Sequence, residues 1–125
     1  MKRSLQVNPL NKPATWADIK SKREELKRIP IATSIGAIDV DDVSFLNITT
    51  AISSFSAISD PQTNTITWKL ADNSFVNVTQ AELQEVVTAV AVRANTIHTK
   101  AEEINATGGY LVGELNDLAV WGIAE

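Results

Sequence analysis

Leu83, Val87, Val90, Ala94, Ile97, Ala101 and Ile104 recur at alternating spacings of four and three residues, a 3.5-residue apolar period held for three heptads. Such a stripe occupies one face of a helix, so the chain must contain a long helix over about 80–106 whose face other elements compete to cover. Thr79-Gln80-Ala81-Glu82 opens it with a capping box, because the Thr hydroxyl and the Glu carboxylate each take up a backbone N–H that the first turn leaves unpaired. Gly108-Gly109 ends it. Ala94 and Ala101 alternate with larger residues, which lets another helix approach closely.

Two shorter helices and two hairpins precede it. Thr15-Trp16-Ala17-Asp18 is a capping-box variant, and Trp16, Ile19, Arg23 and Leu26 follow at 3-4-3 spacing, predicting a helix over about 16–28 that Pro30 stops. Ile31, Thr33 and Ile35 alternate, as do Ile38 and Val40, which predicts a hairpin over about 31–40 with Gly36-Ala37 at its turn and Ile35 opposite Ile38. Asp41 or Asp42 caps a second helix over about 43–57, where Phe45, Ile48, Ile52 and Phe55 repeat at helical spacing. A second hairpin, about 65–79, places Ile66, Trp68, Leu70, Val76 and Val78 on one face if its loop is three residues long. Asp72-Asn73-Ser74 is the expected loop, setting Leu70 against Val76. The fold class is therefore α+β, with an extended arm over 1–14, a body over 15–106 and an apolar segment over 107–125.

The chain of 125 residues contains no Cys. Disulfides, thiolate metal sites and Cys nucleophiles are thereby excluded. Met1-Lys2-Arg3-Ser4 is charged like the start of a signal peptide, but Gln6, Asn8 and Pro9 interrupt the apolar residues that follow. No apolar run approaches the ~18 residues of a membrane span, so the expectation is folding in a cytoplasm without a membrane partner. Residues 1–28 hold eight basic and three acidic side chains, a net of +5, and the remainder holds three and twelve, a net of −9. The basic residues sit mostly on a helix and lack the Gly and stacking aromatics of a nucleic-acid arm. A head-to-tail contact between copies is the better reading.

Chemistry-bearing residues are few. The only imidazole, His98, lies mid-helix beside Thr99 and Lys100, where an i,i+4 contact with Glu102 explains it. Asp39, Asp41 and Asp42 have the spacing of oxygen ligands but lack the Gly and distal Glu of a calcium loop, so capping explains them. Trp16, Trp68 and Phe75 could cage a ligand, yet Trp16 lies on a helix stripe and Trp68 on an apolar hairpin face, which reads as core. No catalytic, cofactor-binding or metal-binding residue is expected, and hence no enzyme, cofactor, small-molecule substrate or nucleic-acid partner. Leu5, Val7 and Leu10 are the arm's only anchors. Tyr110, Leu111, Leu115, Leu118, Trp121 and Ile123 form a stretch too apolar to stand in water, which predicts docking on a neighbouring subunit with Trp121 as anchor and Gly108-Gly109 as hinge.

Four stretches together carry a resemblance: Trp16-x-x-Ile19-Lys20-x-x-Arg23-x-x-Leu26, Ile38-Asp39-Val40-Asp41-x-x-Ser44-x-x-Asn47-Ile48, Thr67-Trp68-x-x-Ala71-Asp72-Asn73, and Leu83 onward to Ala101. Over about 15–106 the chain resembles a small domain of unassigned function found in bacteriophage and prophage tail proteins. It departs from that pattern at Arg28-Ile29-Pro30, where a Gly-rich turn is expected, and in the extension from Tyr110. The resemblance implies a structural component of a phage tail, at the baseplate, tail tip or fibre attachment, with other tail proteins and copies of itself as partners. Its place would be the virion tail, after assembly in the host cytoplasm. A tail-fibre assembly chaperone, absent from the mature particle, is the alternative.

Overall fold

Each of the three long helices begins where a side chain takes up otherwise unpaired N–H groups. In the computed structural model, which describes residues 8–123, Thr15 and Asp18 form a capping box at the start of α1 (Trp16–Leu26). Asp41 caps α2 (Asp42–Ser53) by accepting from the Ser44 N–H at 3.0 Å. Thr79 and Glu82 cap α4 (Gln80–Thr107) reciprocally, at 2.9 and 3.1 Å. The second helix does not run unbroken to residue 57: Ser54 leaves helical geometry, and α3 (Phe55–Ile58) follows as one further turn. With two antiparallel two-stranded sheets, β1 (Ile31–Thr33) with β2 (Gly36–Ile38) and β3 (Ile66–Lys69) with β4 (Phe75–Val78), the class is α+β.

The chain divides into two compact units, one of Met1–Lys27 with Arg93–Glu125 and the other of Arg28–Val92. The boundary falls within α4 and inside the stretch 15–106 that the sequence presents as one body. In the Arg28–Val92 unit, Ile31, Ile38, Val40, Ile48, Ala51, Phe55, Val78, Leu83 and Val86 form the core, with Trp68, Leu70 and Val76 packed against it. Both hairpin registers differ from expectation. The first turns at Ser34-Ile35, pairing Ile31 with Ile38 and Thr33 with Gly36, because the Thr33 hydroxyl accepts from the Ile35 N–H and donates to the Gly36 carbonyl. The second has the three-residue loop, but over Ala71-Asp72-Asn73, so Trp68 pairs with Val76 and Ile66 with Val78. Asn73 takes the left-handed position at φ 72°, and Asp72 accepts from both the N–H and the hydroxyl of Ser74. The shared apolar face survives because the register moves by two residues, an even number, which keeps every side chain on its face.

In the other unit the largest correction lies at the C-terminal segment. Trp121 is 0% exposed and Leu115 2%, while Tyr110, Leu111, Leu118 and Ile123 are half-buried in their own chain. Leu115 and Trp121 are therefore taken up by their own fold and are not the free anchors expected, so the segment is a fold element. Gly108 and Gly109, at φ 72° and 82°, turn the chain, and two 3-10 turns, Val112–Asn116 and Leu118–Trp121, follow. The Trp121 indole N–H donates to the Leu115 carbonyl at 2.9 Å, so its polar edge is satisfied. Gly122 lies against Thr96 and Lys100 of α4. Ile97, Ala101 and Ile104 of α4 are buried, as are Ile19 and Leu26 of α1. The stripe's second half thus lies buried in the unit that also holds Leu115 and Trp121.

The N-terminal stretch is tied down as well. The Ala14 N–H donates to the Tyr110 carbonyl at 2.8 Å and the Val112 N–H to the Lys12 carbonyl at 2.9 Å, with Pro13 bridging Leu111. Gly113 allows this approach, since a Cβ there would stand 2.9 Å from the Leu10 carbonyl oxygen. Leu10 itself is 49% exposed; Leu5 and Val7 lie outside the described residues. Trp121→Ala should lower the stability of the fold by about 3–5 kcal/mol, the range for truncating a buried aromatic, measured by urea denaturation. A variant as stable as its parent would mean that Trp121 is not part of the core.

Candidate functional site

A cleft of about 370 Å³ lies in the Arg28–Val92 unit between Asp39, Ser44, Asn47, Trp68 and Lys69. Its construction starts at Gly36. With φ at 122° and the Leu70 methyl 3.0 Å from where a Cβ would sit, only glycine lets Leu70 lie so close to β2. The Ala71 N–H then donates to the Ala37 carbonyl at 2.9 Å, joining the two hairpins. Asp39, two residues beyond Ala37, and Trp68, two before Leu70, are thereby brought to one side. The α2 helix adds Ser44 and Asn47, three apart and so on one face.

The three carboxylates of this region have separate duties. Asp41 is spent on capping: the Ser44 N–H, and after it the Ser44 hydroxyl, hold its carboxyl below the usual value. Asp42 pairs with Arg28 across 3.3 Å in water, a contact of small energetic weight. Asp39 was expected to cap and instead lines the cleft. Among the described residues no group of three His, Asp or Glu side chains is placed to hold a metal ion. Trp68 is half-buried: it packs against the core and also lines the cleft. Trp16 is half-buried too, with Lys20 Nζ 5.6 Å and Arg23 Cζ 6.0 Å from its ring centre. Phe75 points to the outer face of its hairpin and is exposed, so the three aromatics do not form a cage.

Asn47, Ser44 and Lys69 carry no signal of their own in the sequence. The one trace is that Asp39, Ser44, Asn47 and Trp68 all fall inside the motif stretches quoted above, a coincidence that only the fold makes spatial. Residues 11–110 match the family model described as a domain of unknown function, DUF4376. The chain belongs to this family. No curated protein and no solved structure matches it. The DUF4376 match takes in every residue of the cleft and ends at Tyr110, before Leu115 and Trp121.

His98 of this DUF4376 chain does not pair with Glu102. Lys27 Nζ, at the end of α1, lies 3.0 Å from His98 Nε2, an arrangement in which the ammonium donates to an unprotonated ring nitrogen. The Arg93 guanidinium also reaches the Lys27 carbonyl, at 3.1 Å. Burial first, then the charges of Lys27 and Arg23, push the imidazole below its ordinary 6.5, with Glu24 and Glu102 opposing. The unfolded chain therefore takes up a proton at a pH where the folded one resists it. Stability from this group is complete above about pH 6.5 and falls as pH drops through that value towards the lower folded one. Urea denaturation from about pH 8 to pH 5 should show this loss, and His98→Gln should flatten it; an unchanged slope in the variant would mean that other groups carry the pH dependence.

Proposed function

We propose that the chain is a structural component of a bacteriophage tail, at the baseplate, tail tip or fibre attachment, acting by docking on other tail proteins and on copies of itself. The observation that carries this reading is the Thr67-Trp68-x-x-Ala71-Asp72-Asn73 stretch. It forms β3 and the turn of the hairpin that leads directly into α4, the arrangement by which the chain resembles phage and prophage tail domains. With Trp121 and Leu115 covered, docking falls to apolar side chains that stand in water. Val43 and Leu46, 69% and 63% exposed and three residues apart on α2, form a small apolar strip beside Asp41 and Asp42. The Arg28–Val92 unit holds two basic and seven acidic residues. The partner segment is accordingly apolar and basic, a character that residues 1–28 of a second copy share with their net +5.

Mass spectrometry of purified particles, from the phage or induced prophage that encodes the chain, should find it at a fixed copy number. A Val43→Glu, Leu46→Glu double variant should fold as the parent does, both positions being in water, yet be lost from the particles. A chain found with the fibre protein in lysates but missing from particles would make it the assembly chaperone instead. A double variant that incorporates normally would remove α2 as the docking face.

A further inference from the structure

We propose that the cleft beside Trp68 binds a neutral carbohydrate, with a sugar ring seated against the indole. Its volume of about 370 Å³ is at the small end of the range for ligand clefts, roughly 300–1,000 Å³. The argument for the ligand class comes from which polar groups the protein leaves unused. Among the described residues, six of the seven carboxylates of the Arg28–Val92 unit have a protein partner: Asp41 on Ser44, Asp42 on Arg28, Asp60 on Gln62, Asp72 on Ser74, Glu82 on Thr79 and Glu85 on Ser34. The seventh is Asp39, which lines the cleft. Asn47 and Lys69, the unit's one lysine, line the same cleft, and among the described residues their side chains have no protein partner either.

These groups select by their mixture. Asp39 only accepts hydrogen bonds, Lys69 only donates them, and Asn47 and Ser44 do both. An anion would meet the Asp39 carboxylate and a cation the Lys69 ammonium, so each pays a repulsion that a neutral ligand avoids. A ligand with one apolar face for the indole and hydroxyl groups at its rim, each both donor and acceptor, uses every group present. A sugar ring has that form. Only one carboxylate lines the cleft, whereas glycoside hydrolysis takes a pair, so the proposal is binding without cleavage. It does not depend on the tail reading, since it rests on the cleft alone, and it reverses the expectation that no small molecule is recognised.

The test is NMR titration of the full chain with glucose, galactose, mannose, N-acetylglucosamine and their disaccharides at tens of millimolar, with glucosamine and N-acetylneuraminic acid as cationic and anionic comparators. At least one neutral sugar should shift the Trp68 indole N–H and the amides of Asp39 and Asn47 saturably. Asp39→Asn and Asn47→Ala, both at exposed positions, should each weaken that binding roughly tenfold without altering the denaturation midpoint. Trp68→Phe should weaken it too, with the core retained. No saturable shift from any neutral sugar overturns the proposal, as does binding unchanged in both Asp39→Asn and Asn47→Ala. Tighter binding of either charged comparator than of its neutral counterpart overturns the ligand class.

Discussion

A single helix with an apolar stripe sets the terms for everything else in this chain. Leu83 and Val86, near its start, complete the core that Ile38, Ile48 and Phe55 begin. Ile97, Ala101 and Ile104, further along, are buried in the unit that contains Ile19, Leu26, Leu115 and Trp121. A stripe of this length left in water would form an apolar patch larger than a monomer tolerates. The hairpins and α2 cover one part of it. The rest requires the chain to supply further apolar residues, and those beyond Gly109 are the supply.

How much of this could be read from residues alone depended on whether the cause was local. Caps were legible at Thr15 and Thr79, and to within one residue at Asp41, because a cap involves groups three residues apart. Strand faces were legible as well, since alternation fixes them whatever the register. The first turn was not: Gly36 looks like a turn residue, but its φ and its missing Cβ answer to Leu70, which lies 34 positions on. Trp121 shows a different limit. An apolar residue outside periodic elements has to be buried, but nothing in its neighbours says whether its own chain or another will bury it. Of the three tryptophans, the one assigned to an interface is the one wholly enclosed, and the two assigned to the core are half-exposed.

The cleft was illegible for the same physical reason. The loop after β2, α2 and β3 contribute one or two residues each, and most contributors had an adequate local explanation: Asp39 as a cap, Trp68 as core, Ser44 and Asn47 as the polar side of a helix. Only the joining of Ala71 to Ala37, with Leu70 pressed on Gly36, makes neighbours of them. Shape therefore depends on a glycine that touches none of the cleft's contents. The polar groups gathered there also contrast with their surroundings, where carboxylates are consistently engaged in caps, turns and ion pairs.

The pairing of Lys12, Pro13 and Ala14 with Tyr110, Leu111 and Val112 has a consequence for synthesis. Contacts that close over roughly a hundred residues are entropically late and form only when the second partner exists. As the chain leaves the ribosome, Arg28–Val92 is contiguous and can consolidate once Leu83 and Val86 have emerged. Ile19 and Leu26 emerge earlier and have to wait longer, because Leu115 and Trp121 are made much later. For that interval the nascent chain carries one finished unit and one exposed amphipathic helix. A ribosome stalled near Gly109 would release a half-folded product, open to proteases and to aggregation through α1.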